Sequence, residues 1–148
     1  MLKLPPPAWA LAFVLIAAAV SYLAGVPRIS GLPGAPFGVV LIVGGVALAI
    51  SAAGLFRREG TELNPVSTTN RKLVTSGPFR FTRNPMYLGL VCVTLGIAFW
   101  AGTWPMFVAP VATFATANWA HIPFEEAKMR RQFGPEFEAY TRKVRRWV

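Results

Sequence analysis

Long apolar runs constrain this chain more than any other feature. Residues 8–26, 36–56 and 104–122 are stretches without a single Asp, Glu, Lys or Arg, and a fourth uncharged stretch covers 85–100. A helix needs about 20 apolar residues to cross ~30 Å of hydrocarbon. Three runs meet that length. The fourth meets it only if it starts at Pro85 and tilts little. Such runs predict an all-α membrane protein: four transmembrane helices over 8–26, 36–56, 85–100 and 104–122, in one membrane-embedded domain of 148 residues. The third and fourth are joined by Ala101, Gly102 and Thr103, a link short enough for a tight hairpin. Pro5, Pro6 and Pro7 stop the first helix from extending backwards. That first run also exceeds the ~7–15 residues of a signal-peptide core, so it is expected to be a retained span.

Charge is distributed very unevenly around these runs. The chain has no Asp, six Glu, and fifteen Lys and Arg. Four crossings put the N-terminus, residues 57–84 and residues 123–148 on one side. That side then carries every Lys and Arg except Arg28, and the positive-inside rule makes it cytoplasmic. So basic a chain suits nucleic acid or an anionic membrane surface; the apolar runs favour the membrane, and no nucleic-acid partner is expected. Trp9, Trp100, Trp104 and Trp119 fall near span ends, as an interfacial aromatic belt requires. Gly38, Gly44, Gly45 and Gly54 in the second run permit close helix contacts. Cys92 stands alone inside an apolar run, so neither a disulfide framework nor a cysteine metal site is expected.

No run has an acid or strong base at its middle, which disfavours an ion-coupled transporter. Chemistry is therefore expected at the cytoplasmic face, where two stretches stand out. The first is the connection over 57–84, far longer than the ~4–6 residues of a typical loop. Its last third mixes basic, apolar and aromatic residues, and it ends Asn84-Pro85, a helix cap followed by proline. The free N–H groups of that helix end, with Arg80 and Arg83 beside them, suit a carboxylate or phosphate. The same pattern also serves as an ordinary cap with basic residues on lipid phosphates. The second stretch is His121 to Glu126. His121 and Glu125 share a helix face, and Glu125-Glu126 suits a cationic group or simply favours the dipole of the following helix. Beyond it, Met129, Phe133, Phe137, Tyr140, Val144 and Trp147 recur at helical spacing, predicting an amphipathic tail broken at Gly134-Pro135.

Leu73-Val74-Thr75-Ser76-Gly77-Pro78-Phe79, Arg83-Asn84-Pro85-Met86-Tyr87-Leu88-Gly89, Glu125-Glu126 and Phe133-Gly134-Pro135-Glu136-Phe137 with Tyr140 resemble, in order and spacing, the isoprenylcysteine carboxyl methyltransferase family. Short prokaryotic members belong to that family, and membrane phospholipid and thiol methyltransferases are related to it. The resemblance covers roughly residues 57–148. It implies an S-adenosylmethionine-dependent methyltransferase embedded in the membrane, with the cofactor at the cytoplasmic face under the tail. By the same resemblance the cofactor-binding residues are Arg71, Lys72, Leu73, Val74, Phe79, Asn84, Pro85, Met86, Tyr87, Glu125 and Glu126. The absence of a G-x-G-x-x-G fingerprint agrees with a site unlike the soluble dinucleotide fold. Two positions depart from the family pattern. Asn84 replaces a His, and His121 stands where eukaryotic members carry an Arg that holds the substrate carboxylate. The second departure points toward a lipid amine or thiol acceptor beside a prenylcysteine-like carboxylate. For such acceptors His121 or Glu125 is the expected catalytic base. No metal is expected; the expected partners are membrane lipids and a lipophilic or small methyl acceptor. The alternatives are a non-enzymatic membrane subunit or lipid-binding scaffold, and an NADPH-dependent membrane reductase.

Overall fold

The computed structural model describes residues 5–58 and 72–148. Among the described residues six α-helices follow one another and there is no strand: α1 (Pro6–Leu23), α2 (Gly34–Arg58), α3 (Pro85–Ala101), α4 (Val108–Thr116), α5 (Ile122–Phe133) and α6 (Pro135–Lys143). Short 3₁₀ turns at Gly77–Arg80 and Trp104–Phe107 precede α3 and α4, and a π turn at Ala117–His121 joins α4 to α5.

Among the described residues two helices, α1 and α2, are long and apolar enough to cross a membrane. Both are mostly exposed: only 22% of the α1 window and 11% of the α2 window are buried. Leu15, Ile16 and Leu23 on α1, and Val40, Val43 and Ile50 on α2, point outward. A helix at the core of a soluble protein buries such side chains. Leaving them in water costs about 25 cal/mol per Å², so this surface belongs in lipid. Trp100, Trp104 and Trp119 are also exposed, as belt residues would be. Trp9 departs from that expectation. It is 4% exposed, because its indole packs inward against the His121 ring. At 17 residues α3 spans only about 25 Å at ~1.5 Å per residue. The run over 104–122 is not one uniform helix either. It passes through 3₁₀, α and π turns and continues unbroken into α5. Pro123 explains the π turn. Its ring would meet the carbonyl four residues back, and widening to the Ile122 N–H to Ala117 C=O bond relieves that clash.

The helices pack around two seams. Antiparallel α2 and α3 meet through reciprocal glycines. A Cβ on Gly38 would stand 2.5 Å from the Gly96 carbonyl, and one on Gly45 would stand 2.5 Å from the Gly89 carbonyl. Gly44 and Gly54, expected to help, meet nothing, since they lie off the heptad that carries Gly38, Gly45 and buried Ala52. The other seam joins α1, α3 and α4. Trp9, Ala10, Tyr87, Ala117 and Ile122 cluster at one end, and Ala17, Ala98, Met106 and Ala109 at the other. Arg28 donates to the Trp100 carbonyl (2.7 Å) at the second end.

Candidate functional site

The site forms where α3 begins. Val74 and Phe79 pack on Ala52 beneath the end of α2, and Pro85 starts the helix. The carbonyl of Asn84 accepts from Leu88 N–H, yet its side chain caps nothing. Instead the Asn84 amide donates to the carbonyl of Arg146 (2.9 Å), which also accepts from the Thr82 hydroxyl (3.1 Å). Arg83 N–H donates to the carbonyl of Arg145 (3.0 Å). The end of the tail, residues 144–148, is thus a strap across the foot of α3.

Three side-chain interactions fix the acids and aromatics. The Tyr87 hydroxyl donates to Glu125 Oε1 (2.7 Å). Burial pushes the Glu125 carboxyl above the usual carboxylate range, and Glu126 adds to this, while the Tyr87 hydrogen bond and Lys128 oppose it. Glu126 is buried and held by two guanidinium groups, Arg83 at 3.2 Å and Arg146 at 2.7 Å. The Tyr140 hydroxyl donates to the carbonyl of Phe79 (2.7 Å), tying α6 to the loop, and burial pushes its pKa up to about 12 against the pull of Arg83.

Two cavities open among these groups. The smaller, about 80 Å³, is lined by Lys72, Leu73, Val74, Phe79, Arg83, Asn84, Glu125, Glu126 and Tyr140 among others. The larger, about 370 Å³, has Arg83, Asn84, Tyr87, Glu125 and Lys128 near one end and Val46, Ala49, Ile50, Leu90 and Val93 along its wall. Drug-sized ligands occupy pockets of ~300–1,000 Å³. Phe56, Phe79, Arg83, Asn84, Glu125 and Met129 line both cavities. Arg83 lines both, and its Nε and Nη1 are buried and have no hydrogen-bond partner among the described residues. Buried guanidinium donors left unpaired are costly, so they are suited to an anionic group entering there.

Of the residues expected from sequence, Lys72, Leu73, Val74, Phe79, Asn84, Pro85, Met86, Tyr87, Glu125 and Glu126 line one or both cavities. Arg71 lies outside the described residues. His121 lines neither cavity. It is 2% exposed, stacked on Trp9 with ring centroids 5.1 Å apart and set behind Tyr87 at 6.1 Å. Sequence reasoning gave no site role to Arg146 or to the α2 wall of Val46, Ala49 and Ile50, and named Tyr140 only in the tail stripe and the family motif. The tail aromatics were visible as a helical stripe; which carbonyls and acids they would meet was not.

The family model described as phospholipid methyltransferase matches residues 35–136. The chain belongs to that family. Proteins named probable protein-S-isoprenylcysteine O-methyltransferase from Oryza sativa subsp. indica and subsp. japonica are 34% identical over 116 residues, covering 72% of this chain and 56% of theirs. Protein-S-isoprenylcysteine O-methyltransferase B of Arabidopsis thaliana is 29% identical over 115 residues, 73% of this chain and 55% of that protein. An uncharacterized protein of Haemophilus influenzae is 32% identical over 63 residues, its full length and 43% of this chain. The chain spans about half the length of the plant relatives it matches. No solved structure matches.

Proposed function

We propose that the protein is a multi-pass membrane methyltransferase that uses S-adenosylmethionine at the cytoplasmic face and acts on a lipophilic acceptor. The observation carrying this reading is the larger cavity, polar and charged at the motif residues and apolar along α2 and α3. A soluble cofactor and a lipid-like acceptor need such a gradient. The clustering of basic residues at the end of the helices holding the site supports the cytoplasmic assignment. Family membership supports the methyl-transfer chemistry.

The residues present fit the cofactor. Its carboxylate matches the two unpaired Arg83 donors, its ammonium matches Glu125, and Phe79 and Tyr87 offer ring faces to a cation. When bound, the cofactor supplies an electrophilic methyl on a positive sulfur, which keeps the electron pair of the broken bond as the acceptor forms the new one. The chain's own share is alignment and exclusion of water. Tyr87 orients Glu125 through their hydrogen bond. An amine or thiol acceptor must also lose a proton, and Glu125, whose affinity for protons burial raises, is better placed to take it than enclosed His121. Val46 and Ile50 line the apolar wall and are also exposed on the outer face of α2, which supports lateral entry of the acceptor from lipid.

Calorimetric titration of the detergent-purified protein with S-adenosylhomocysteine tests the reading: binding is expected, and no heat at millimolar ligand overturns it. Binding of NADPH instead would indicate a reductase. Labelled methyl transfer to prenylcysteines, phospholipid amines and thiols then assigns the acceptor. Val46→Trp should cut transfer about tenfold or more by obstructing the apolar wall, while cofactor affinity stays within about twofold. Equal loss of both would remove the acceptor from that wall.

A further inference from the structure

We infer that Arg146 is a positioning residue: together with Glu126 it sets the charge and aim of Arg83 in the cofactor cavity. The inference rests on the functional reading above. Glu126 sits between the two guanidinium groups. Arg146 grips it twice, Nη2 to Oε2 at 2.7 Å and Nε to Oε1 at 3.2 Å, while Arg83 reaches Oε1 through Nη2 alone, at 3.2 Å. Glu126 is thus occupied mainly by Arg146. Arg83, which lines both cavities, keeps its buried Nε and Nη1 unpaired among the described residues. The triad carries one net positive charge, and at its more enclosed members, Arg83 and Glu126, charge counts for more than in water.

The strap that delivers Arg146 is fixed independently. Its main chain holds Thr82, Arg83 and Asn84, and the Trp147 indole donates to Asn118 Oδ1 (3.0 Å), which the π turn carries. Arg146 Nη1 reaches the same oxygen at 3.4 Å. Without the Arg146 guanidinium, Glu126 turns wholly to Arg83. The pair becomes neutral, and the guanidinium is drawn from the cavity toward the acid.

Charge restoration separates this role from mere support of the fold. Arg146→Gln should weaken S-adenosylhomocysteine binding about tenfold and raise the cofactor KM more than it lowers kcat, a loss typical of a charge-assisted hydrogen bond. The double variant Glu126→Gln/Arg146→Gln again leaves one net positive charge on Arg83, and should bind within about threefold of wild type. Arg142→Gln, on the exposed basic face, controls for overall charge. Arg146→Gln binding like wild type, or a double variant as weak as the single one, overturns the inference. If Arg146→Gln shows no unfolding transition, Arg146→Lys takes its place: keeping the charge, it should bind within about threefold, and a tenfold loss overturns the inference. Wild type that fails to bind sinks the functional reading and this inference with it; wild type that binds beside unaffected variants sinks this inference alone.

Discussion

Two adjacent glycines offer a controlled perturbation of the α2–α3 seam. Gly45 and Gly44 differ by one position and by everything their Cβ would meet. At Gly45 an added methyl would stand 2.5 Å from the Gly89 carbonyl and 3.0 Å from Cys92 Cβ. The first obstacle is backbone and cannot rotate away, so the helices must separate by about 1 Å to reach an ordinary contact near ~3.5 Å. The reciprocal contact at Gly38 and Gly96 resists that separation. Overpacking of this kind costs about 1–3 kcal/mol, partly offset by the ~1 kcal/mol that alanine gains over glycine in a helix. At Gly44 the methyl meets nothing, so only the gain remains. The gain is common to both variants and cancels, so Gly45→Ala and Gly44→Ala should differ by the overpacking cost of ~1–3 kcal/mol, or roughly 3–10 °C in unfolding temperature in detergent. Because α3 carries Pro85, Met86 and Tyr87 into the cavity wall, Gly45→Ala should also weaken S-adenosylhomocysteine binding, whereas Gly44→Ala should not. Equal unfolding temperatures for the two variants would refute the reciprocal glycine contact as the determinant of this seam.

Two further outcomes follow from the site. Holding an ammonium requires ionised Glu125, whose proton affinity burial raises, so cofactor affinity should fall with pH starting above the ordinary carboxylate value of ~4.3. The fold responds oppositely: protonated Glu125 stabilises it at low pH, and that contribution is lost as pH rises through the raised pKa. Calorimetry and thermal unfolding across pH, with Glu125→Gln flattening both curves, check the pair of signs. Tyr140→Phe leaves the Phe79 carbonyl without its buried donor and should cost about 1–3 kcal/mol, while Glu138→Ala, which breaks only the exposed pair with Arg130, should cost under ~1 kcal/mol. Similar unfolding temperatures for the two would remove Tyr140 from the tail's anchorage.

Much of this protein is written locally. The apolar runs fixed where helices lie because helix formation reads windows of ten to twenty residues. Gly134-Pro135 ended α5 at Phe133 and started α6 at Pro135, as expected, because Gly134 adopts a positive φ that few other residues tolerate and proline suits a helix start. Lys72, Asn84, Tyr87, Glu125 and Glu126, singled out in the sequence by a family resemblance, line one or both cavities. Tertiary structure decided what those residues touch. Asn84 and Arg146 are 62 positions apart and Tyr87 and Glu125 are 38 apart, so no local pattern pairs them. His121 and Glu125 share a helix face in the sequence, but Trp9 from α1 covers the histidine and the cavity opens on the glutamate. Among the glycines of α2, the approach of α3 alone selected Gly38 and Gly45. The apolar runs therefore say where the apolar helices lie, and the packing of those helices says which charges are left facing the cavity.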